Sequence, residues 1–253
     1  MHDSLPRLGH TRSVHQRHHL LQTPDTFVRA TPPGMRGGAA IVHVSPTLGA
    51  GFTQYTAELE PDGEINTETS AQRFLFVLEG SVIIDAGARK YELGARGYAY
   101  LPGGWLHRIT AVSGSRLAVI EKPYHALPSL APPQTVFSSE DAMESHPLDG
   151  DPDVQVKCLL PDAANFDFAV NTMVYRPGAS LRMVEMHAME HGLLMLEGGG
   201  IYRLGDSWYP VVTGDFIWMA PWCPQWFGAI GKVPAKYLIY KDWNRHPVPH
   251  AQR

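Results

Sequence analysis

The stretch Phe74-Leu75-Phe76-Val77-Leu78-Glu79-Gly80 has a close copy 118 residues further along the chain, Gly192-Leu193-Leu194-Met195-Leu196-Glu197-Gly198. Each copy is an apolar run of strand length that ends in Glu-Gly, which is typical of a turn. In both halves a glycine follows (Gly97, Gly214), then a strand of alternating aromatic and aliphatic residues and a turn that contains proline. The pattern predicts a duplicated β-rich unit of about 100 residues, each copy forming a small barrel.

The rest of the chain shows the same pattern of short apolar runs separated by turns. Apolar runs of strand length, such as Ala40–Val44, Ser81–Ile84 and Leu117–Ile120, alternate with turns such as Pro61-Asp62-Gly63. The 253 residues include 24 glycines and 21 prolines, well above the roughly 12% of average usage. No long segment shows the helical period, and Ser138–Glu144 is expected to form one short helix. We therefore expect an all-β protein of two tandem jelly-roll barrels.

An uncharged, proline-rich stretch divides the two halves. Ala126–Gln134 (ALPSLAPPQ) contains three prolines and resembles a linker. We expect an N-terminal barrel in residues 1–125, a linker in 126–160 and a C-terminal barrel in 161–253.

The first thirty residues form a polar arm with four histidines close together in sequence. A chelating arm is conceivable. However, no strand pattern holds these side chains in a fixed geometry, so we expect solvated surface histidines. They are His10, His15, His18 and His19.

Composition excludes several functional classes. The net charge of −4 is the wrong sign for a nucleic-acid binder, which needs a basic surface. No apolar run approaches the roughly 20 residues of a membrane span, and the N-terminus lacks the apolar segment of a secretory signal. With only Cys158 and Cys223, no disulfide framework is possible, which fits a reducing compartment. We expect a cytoplasmic protein.

Four polar residues in the second half are spaced for metal binding. Glu185 and His187 are two apart, so in a strand both side chains leave the same face, and His191 follows in phase. The turn Ala220–Pro224 leads to Gln225, and the spacing of these four residues resembles the ligand set of cupin barrels. Two imidazoles with two oxygen donors favour Mn(II), with Fe(II) next. Glu190 points to the other face and is expected at the surface.

The first half provides an internal comparison. The positions 118 residues before the four candidates are Thr67, Thr69, Arg73 and His107. Only His107 is a metal-ligating residue type. We therefore expect one metal site per chain, in the C-terminal barrel.

Other pocket candidates follow from strand phase. Tyr237, Ile239 and Lys241 share one face of a late strand, and Tyr202 lies on the strand after the Glu-Gly turn. Periodicity alone cannot choose which face is inward. Cys223 is expected to be a small apolar filler.

At this level of detail the chain resembles the (S)-ureidoglycine aminohydrolase family, which are bicupin enzymes of allantoin degradation. The resemblance spans nearly the whole chain. It rests on Ser45–Phe52, Phe166–Phe168, Pro177–Ser180, Glu185–Gly192, Gly205–Trp208, Gly214–Ile217 and Tyr240–Arg245.

The resemblance implies a metal-dependent hydrolase that converts (S)-ureidoglycine to (S)-ureidoglycolate and ammonia in purine catabolism. It implies Mn²⁺ ligands at Glu185, His187, His191 and Gln225. It also implies substrate contacts from Tyr202, Tyr237 and Lys241, with Lys241 and Glu185 as the catalytic residues. The implied partner is a small-molecule substrate, and a homo-oligomer is expected.

Two other readings stay open. Another metal-dependent bicupin enzyme, a dioxygenase or a keto-sugar isomerase, is disfavoured because such sites more often begin and end in histidine. A non-enzymatic ligand-binding cupin is disfavoured because it would not need a complete set of four metal ligands.

Overall fold

The computed structural model describes residues 10–66 and 70–245, and these are largely β-structure. The helices in this part of the chain are short 3-10 turns at Pro24–Thr26, Pro46–Leu48 and Glu140–Ala142, and none is long and apolar enough to cross a membrane. The strands are β1 (Val14–Gln16), β2 (His19–Gln22), β3 (Arg29–Ala30), β4 (Met35–Val44), β5 (Thr53–Asn66), β6 (Gln72–Glu79), β7 (Ser81–Asp85), β8 (Lys90–Gly94), β9 (Gly97–Leu101), β10 (Arg108–Ala111), β11 (Ser115–Lys122), β12 (Val136–Ser139), β13 (His146–Leu148), β14 (Asp151–Cys158), β15 (Phe168–Tyr175), β16 (His191–Glu197), β17 (Gly199–Leu204), β18 (Ser207–Val212), β19 (Phe216–Met219), β20 (Gln225–Ala229) and β21 (Ala235–Asp242).

The described strands form three sheets. One has the order β1-β2-β19-β16-β21-β15-β14-β13, and a small one has the order β18-β17-β20. The third has the order β12-β9-β6-β11-β5-β10-β7-β8, with β4 paired to β5 and β3 paired to β4. This is the all-β, bicupin architecture predicted from the repeat.

The duplicated turns are equivalent in structure as well as in sequence. Gly80 joins β6 to β7 with φ of 78°, and Gly198 joins β16 to β17 with φ of 65°. At both positions a Cβ would lie under 3.0 Å from a carbonyl oxygen, that of Gly114 in one half and that of Pro234 in the other. Only glycine combines this left-handed backbone with such a close approach, which explains why the Glu-Gly pair recurs.

Contacts divide the chain into two compact units whose boundaries differ from the expected ones. One unit comprises Met1–Phe27, Pro147–Val156 and Thr172–Ile239, and the other comprises Val28–His146, Lys157–Asn171 and Tyr240–Arg253. The N-terminal arm thus groups with most of the C-terminal half. The segment 126–160 is also more than a linker, because it contains β12, β13 and β14.

The arm groups with the C-terminal half because it adds a hairpin to that half's sheet. β2 pairs antiparallel with β19, Leu21 facing Ile217, and Leu21 is fully buried in the same apolar cluster as Ile217. Arg12 reinforces this attachment, donating to both carboxylate oxygens of the buried Asp215 at 2.6 and 2.9 Å. The expectation that no strand would hold the arm histidines was therefore wrong.

Two histidines of the other unit make stability depend on pH. Burial lowers the pKa of His43 to about 3, and burial with the neighbouring Arg73 charge lowers that of His107 to about 4. In the unfolded chain both pKa values are near 6.5. Below pH 6.5 the unfolded chain therefore binds protons that the folded protein does not, and the free energy of unfolding decreases. We expect each histidine to cost on the order of 2 kcal/mol of unfolding free energy between pH 7 and pH 5.

The measurement is urea unfolding at pH 7 and pH 5, for the wild type and for His43→Gln. The variant lacks one titrating group and should lose less stability on acidification. An equal loss in both proteins would show that His43 does not contribute.

Candidate metal centre

The four predicted ligand residues meet around the imidazole of His187. The Nε2 atom of His187 lies 3.2 Å from His191 Nε2, 2.9 Å from Gln225 Nε2 and 3.8 Å from Glu185 Oε2. Donor atoms bound at right angles to one ion about 2.1 Å away lie about 3 Å apart. The spacing of the two imidazoles and the amide therefore fits a shared cation, with the carboxylate slightly more distant.

The backbone fixes this meeting point. Glu185 and Gln225 exchange two backbone hydrogen bonds of 2.8 Å across an isolated antiparallel bridge. The Trp222 N–H donates to the His187 carbonyl at 2.8 Å, and His191 and Gln225 are the first residues of β16 and β20. The segment between Glu185 and His191 is irregular rather than a strand, so the expected strand phase was not what places the ligands together.

Tyr202 holds the amide of Gln225. Its hydroxyl lies 3.2 Å from Gln225 Oε1, while the amide nitrogen faces His187. The oxygen and nitrogen of an amide are assigned from the hydrogen-bond network, and a 180° turn of this group brings Oε1 to the His187 side as a metal ligand requires. A hydroxyl can donate or accept, so it supports either orientation.

The tyrosines beside the ligands stay protonated. Burial raises the pKa of Tyr202 and of Tyr237 well above the ordinary value, with further contributions from Tyr175 and from the Glu185 carboxylate. The hydroxyls of Tyr237 and Tyr175 lie 2.7 Å apart. These groups offer neutral hydrogen-bond donors, and the Glu185 charge lies close enough to affect each of them.

Sequence reasoning missed Tyr175 and misplaced Glu190. Tyr175 ends β15, and nothing in its own stretch of sequence marks it as part of a site; only the partner hydroxyl of Tyr237 does so. Glu190, expected at the surface, is 4% exposed and accepts a 2.7 Å hydrogen bond from Trp218 Nε1. Its position immediately before the buried His191 explains the error, because an irregular segment does not alternate faces.

A cavity of about 170 Å³ borders Glu185. Its lining combines apolar side chains with Ser180, Arg182, Asp149 and Asp151. Glu185 is the one candidate ligand in its lining, so the cavity borders the cluster at that carboxylate.

Lys241 belongs to the other compact unit. Its ammonium lies over the ring of Trp243, 4.1 Å from the ring centroid. This cation–π contact holds the lysine head group at the end of β21. Its role as a substrate contact stays a prediction.

The sequence counterparts of His191 and Gln225 in the first half touch each other. Arg73 Nη1 lies 2.8 Å from His107 Nε2, and Arg73 forms an ion pair with Glu121 at 2.7 Å. A guanidinium is a permanent cation without a lone pair to offer a metal. The other two counterparts, Thr67 and Thr69, lie outside the described residues, so the single metal site per chain stays a prediction.

Tyr202→Phe is expected to weaken Mn²⁺ binding about tenfold, because removing a group that orients a ligand typically costs 10- to 100-fold in affinity. The measurement is Mn²⁺ titration of metal-free protein. The matched control is Tyr91→Phe in the other unit, where affinity should not change. Unaltered affinity in Tyr202→Phe would show that Gln225 needs no support from this hydroxyl.

Comparison with known proteins identifies a domain family and several relatives of this chain. The Cupin domain family matches residues 171–240, which include His187, His191 and Gln225. A probable (S)-ureidoglycine aminohydrolase of Oryza sativa is 39% identical over 245 residues, covering 95% of this chain and 78% of the relative. The (S)-ureidoglycine aminohydrolase of Arabidopsis thaliana is 38% identical over 242 residues, covering 95% and 80%.

A solved structure extends the likeness to the whole fold. The protein Ylba from E. coli is 27% identical, with a TM-score of 0.83, and the match covers 96% of this chain and 99% of that one. The two plant relatives are 39% and 38% identical to this chain over 95% of its length, and both carry the name (S)-ureidoglycine aminohydrolase. The chain therefore belongs to the (S)-ureidoglycine aminohydrolase family, a family of hydrolases built on the cupin fold.

Proposed function

We propose that this chain catalyses the Mn²⁺-dependent hydrolysis of (S)-ureidoglycine to (S)-ureidoglycolate and ammonia. The observation that carries the proposal is the convergence of Glu185, His191 and Gln225 on His187 Nε2. A chain of this family that keeps such a donor set beside a cavity has the parts that metal-assisted hydrolysis needs.

Glu185, His187, His191 and Gln225 would hold the ion. Two imidazole nitrogens and two oxygen donors, without sulfur, suit Mn²⁺. When bound, the ion offers positions for the substrate carboxylate and amine, which orients the reacting carbon. His187 is central to this arrangement because it lies within 4 Å of each of the other three side chains.

The reaction exchanges one bond at the aminal carbon. The C–N bond to the amine breaks, a C–O bond to water forms, and one proton passes from water to the departing nitrogen. We assign Lys241 either to an ion pair with the substrate carboxylate or to the general acid that protonates the departing amine and regains a proton from the attacking water. Glu185 combines metal binding with a negative charge next to the reacting centre.

The buried phenols would bind the ureido group. Tyr202 and Tyr237 keep their protons, since burial raises the pKa of each well above its ordinary value. A neutral hydroxyl in a buried site is a fixed donor for a carbonyl oxygen, and it costs little reorganisation during the reaction.

We further infer a cytoplasmic homo-oligomer. Both cysteines are free, Cys158 exposed and Cys223 buried, which supports a reducing compartment. The homo-oligomer rests on family resemblance.

The test is ammonia release from freshly generated (S)-ureidoglycine, measured with metal-free protein and after adding Mn²⁺, Fe²⁺ or Zn²⁺. Release above the spontaneous rate that requires Mn²⁺ supports the proposal. Oxygen consumption with Fe²⁺ would indicate a dioxygenase instead, and binding without turnover would indicate a ligand-binding protein.

A further inference from the structure

A second group of metal-ligating side chains lies in the same compact unit, where the arm meets the turn before β20. The ligand atoms of His18, His19 and Cys223 all lie within 4.8 Å of one another. The two Nδ1 atoms of the histidines are 2.9 Å apart. Sequence reasoning gave these residues separate and passive roles, as solvated histidines and an apolar filler.

Two independent pieces of backbone bring the group together. His19 pairs with Met219 across β2 and β19, and the Ala220 N–H donates to the His18 carbonyl at 3.0 Å. Cys223 arrives from the following turn, where its N–H donates to the Ala220 carbonyl at 3.1 Å. The cluster is therefore fixed by hydrogen bonds on both sides.

The turn before Cys223 contains a residue with a left-handed backbone. Trp222 has φ of 66°, a left-handed backbone that is rare for a large side chain, and its N–H is held by the His187 carbonyl. Such strain persists where the surroundings impose it, and it concentrates at functional sites.

His19 has the support that a metal-bound histidine usually has. Its Nδ1 faces His18, while its Nε2 lies 3.0 Å from the hydroxyl of Tyr209. Ligating histidines commonly engage a second group through the other ring nitrogen, which fixes the tautomer.

Space for the His18 ring depends on a glycine. A Cβ at Gly205 would lie 2.8 Å from Cε1 and 3.0 Å from Nε2 of that ring. Gly205 also has φ of 61°, and its N–H donates to the Pro224 carbonyl at 2.8 Å. The β17–β18 turn therefore accommodates this imidazole and is tied to the segment that carries Cys223.

We propose that His18 Nδ1, His19 Nδ1 and Cys223 Sγ bind a Zn²⁺ ion. Donors on a tetrahedral zinc lie about 3.3 to 3.6 Å apart, a spacing between the 2.9 Å of the two Nδ1 atoms and the 4.8 Å within which all three ligand atoms lie. Nitrogen with thiolate sulfur favours zinc over manganese. Binding exchanges the Sγ–H bond for Zn–S, and the proton goes to water.

The proposed ion has a structural role. His18 is exposed, so the fourth position faces solvent. The ion would link the arm to the turn that leads into Gln225, and thereby support a ligand of the candidate metal centre without sharing any donor with it. The zinc site does not depend on the proposed hydrolysis.

The test is Co²⁺ titration of the full chain carrying Cys158→Ser, which removes the only other thiol. Co²⁺ bound to a thiolate gives a sulfur-to-metal charge-transfer absorption that nitrogen and oxygen ligands do not give. We expect this absorption to saturate, at one equivalent once His187→Ala has removed the competing candidate metal centre, and to disappear on adding Zn²⁺. Further substitution of Cys223→Ser should abolish it, and His18→Ala should weaken Co²⁺ affinity at least tenfold.

His187→Ala in the same background is the matched control and should keep the thiolate absorption. Because a buried cysteine variant can fail to fold, a second measurement uses Cys158→Ser alone: Zn²⁺ should slow modification of Cys223 by a thiol reagent at least tenfold. Absence of the absorption, its persistence without Cys223, unchanged Co²⁺ affinity in His18→Ala, or modification that Zn²⁺ does not slow would each overturn the proposal.

Discussion

Replacing His187 by alanine should reduce ammonia release from (S)-ureidoglycine by a factor of about a thousand or more. His187 Nε2 is the atom on which the other three donors converge, so its loss leaves Glu185, His191 and Gln225 without a common centre. The variant should also retain little Mn²⁺ after gel filtration, which metal analysis measures directly.

The matched control is His125→Ala. His125 is exposed, and the hydrogen bonds it makes to Asp167 and Arg245 use backbone atoms. This variant should keep both Mn²⁺ and activity. Full activity of His187→Ala, or loss of activity with undiminished Mn²⁺ content, would show that His187 does not hold the ion.

Lys241→Met should lower turnover about 100- to 1,000-fold while Mn²⁺ stays bound. The expected loss is that of a general acid or a charge partner for the substrate. Methionine keeps most of the apolar length of the side chain and removes the ammonium, together with its cation–π contact to Trp243. Steady-state kinetics combined with metal analysis separates this effect from ligand loss.

Lys232→Met provides the comparison, because Lys232 is exposed in the turn before β21. It should not change turnover. Loss of Mn²⁺ from Lys241→Met would contradict the assignment of Lys241 to the substrate, and unchanged turnover would remove it from the mechanism.

The sequence alone predicted the architecture because the decisive signals are local. The Glu-Gly turn needs a left-handed glycine against a neighbouring carbonyl, and it recurs at Gly80 and Gly198. Apolar runs such as Leu117–Ile120 became buried strands. Ser139 caps the short 3-10 helix by accepting from the Asp141 N–H, within the stretch predicted to be helical.

The details of the site were less predictable because they depend on distant contacts. Strand phase placed Glu185 and His187 on one face, but a backbone bridge to Gln225 positions them. The same irregular backbone buried Glu190. Tyr175 entered the site through a hydroxyl 62 residues away in sequence, which no local pattern encodes.

The arm was the largest departure from expectation. Its four histidines suggested a solvated tail, whereas Leu21 and Arg12 attach it to strands and turns about 200 residues later. A short strand such as β2 has almost no signal of its own, because its stability comes from the partner it joins.

The pairing of β2 with β19 also affects how readily the protein aggregates. A chain shortened to begin at Val28 would leave one side of β19 with unpaired amide and carbonyl groups, and such an open edge recruits strands from other molecules. The strand β2 therefore protects β19 from pairing with other molecules. We expect a truncated chain to aggregate.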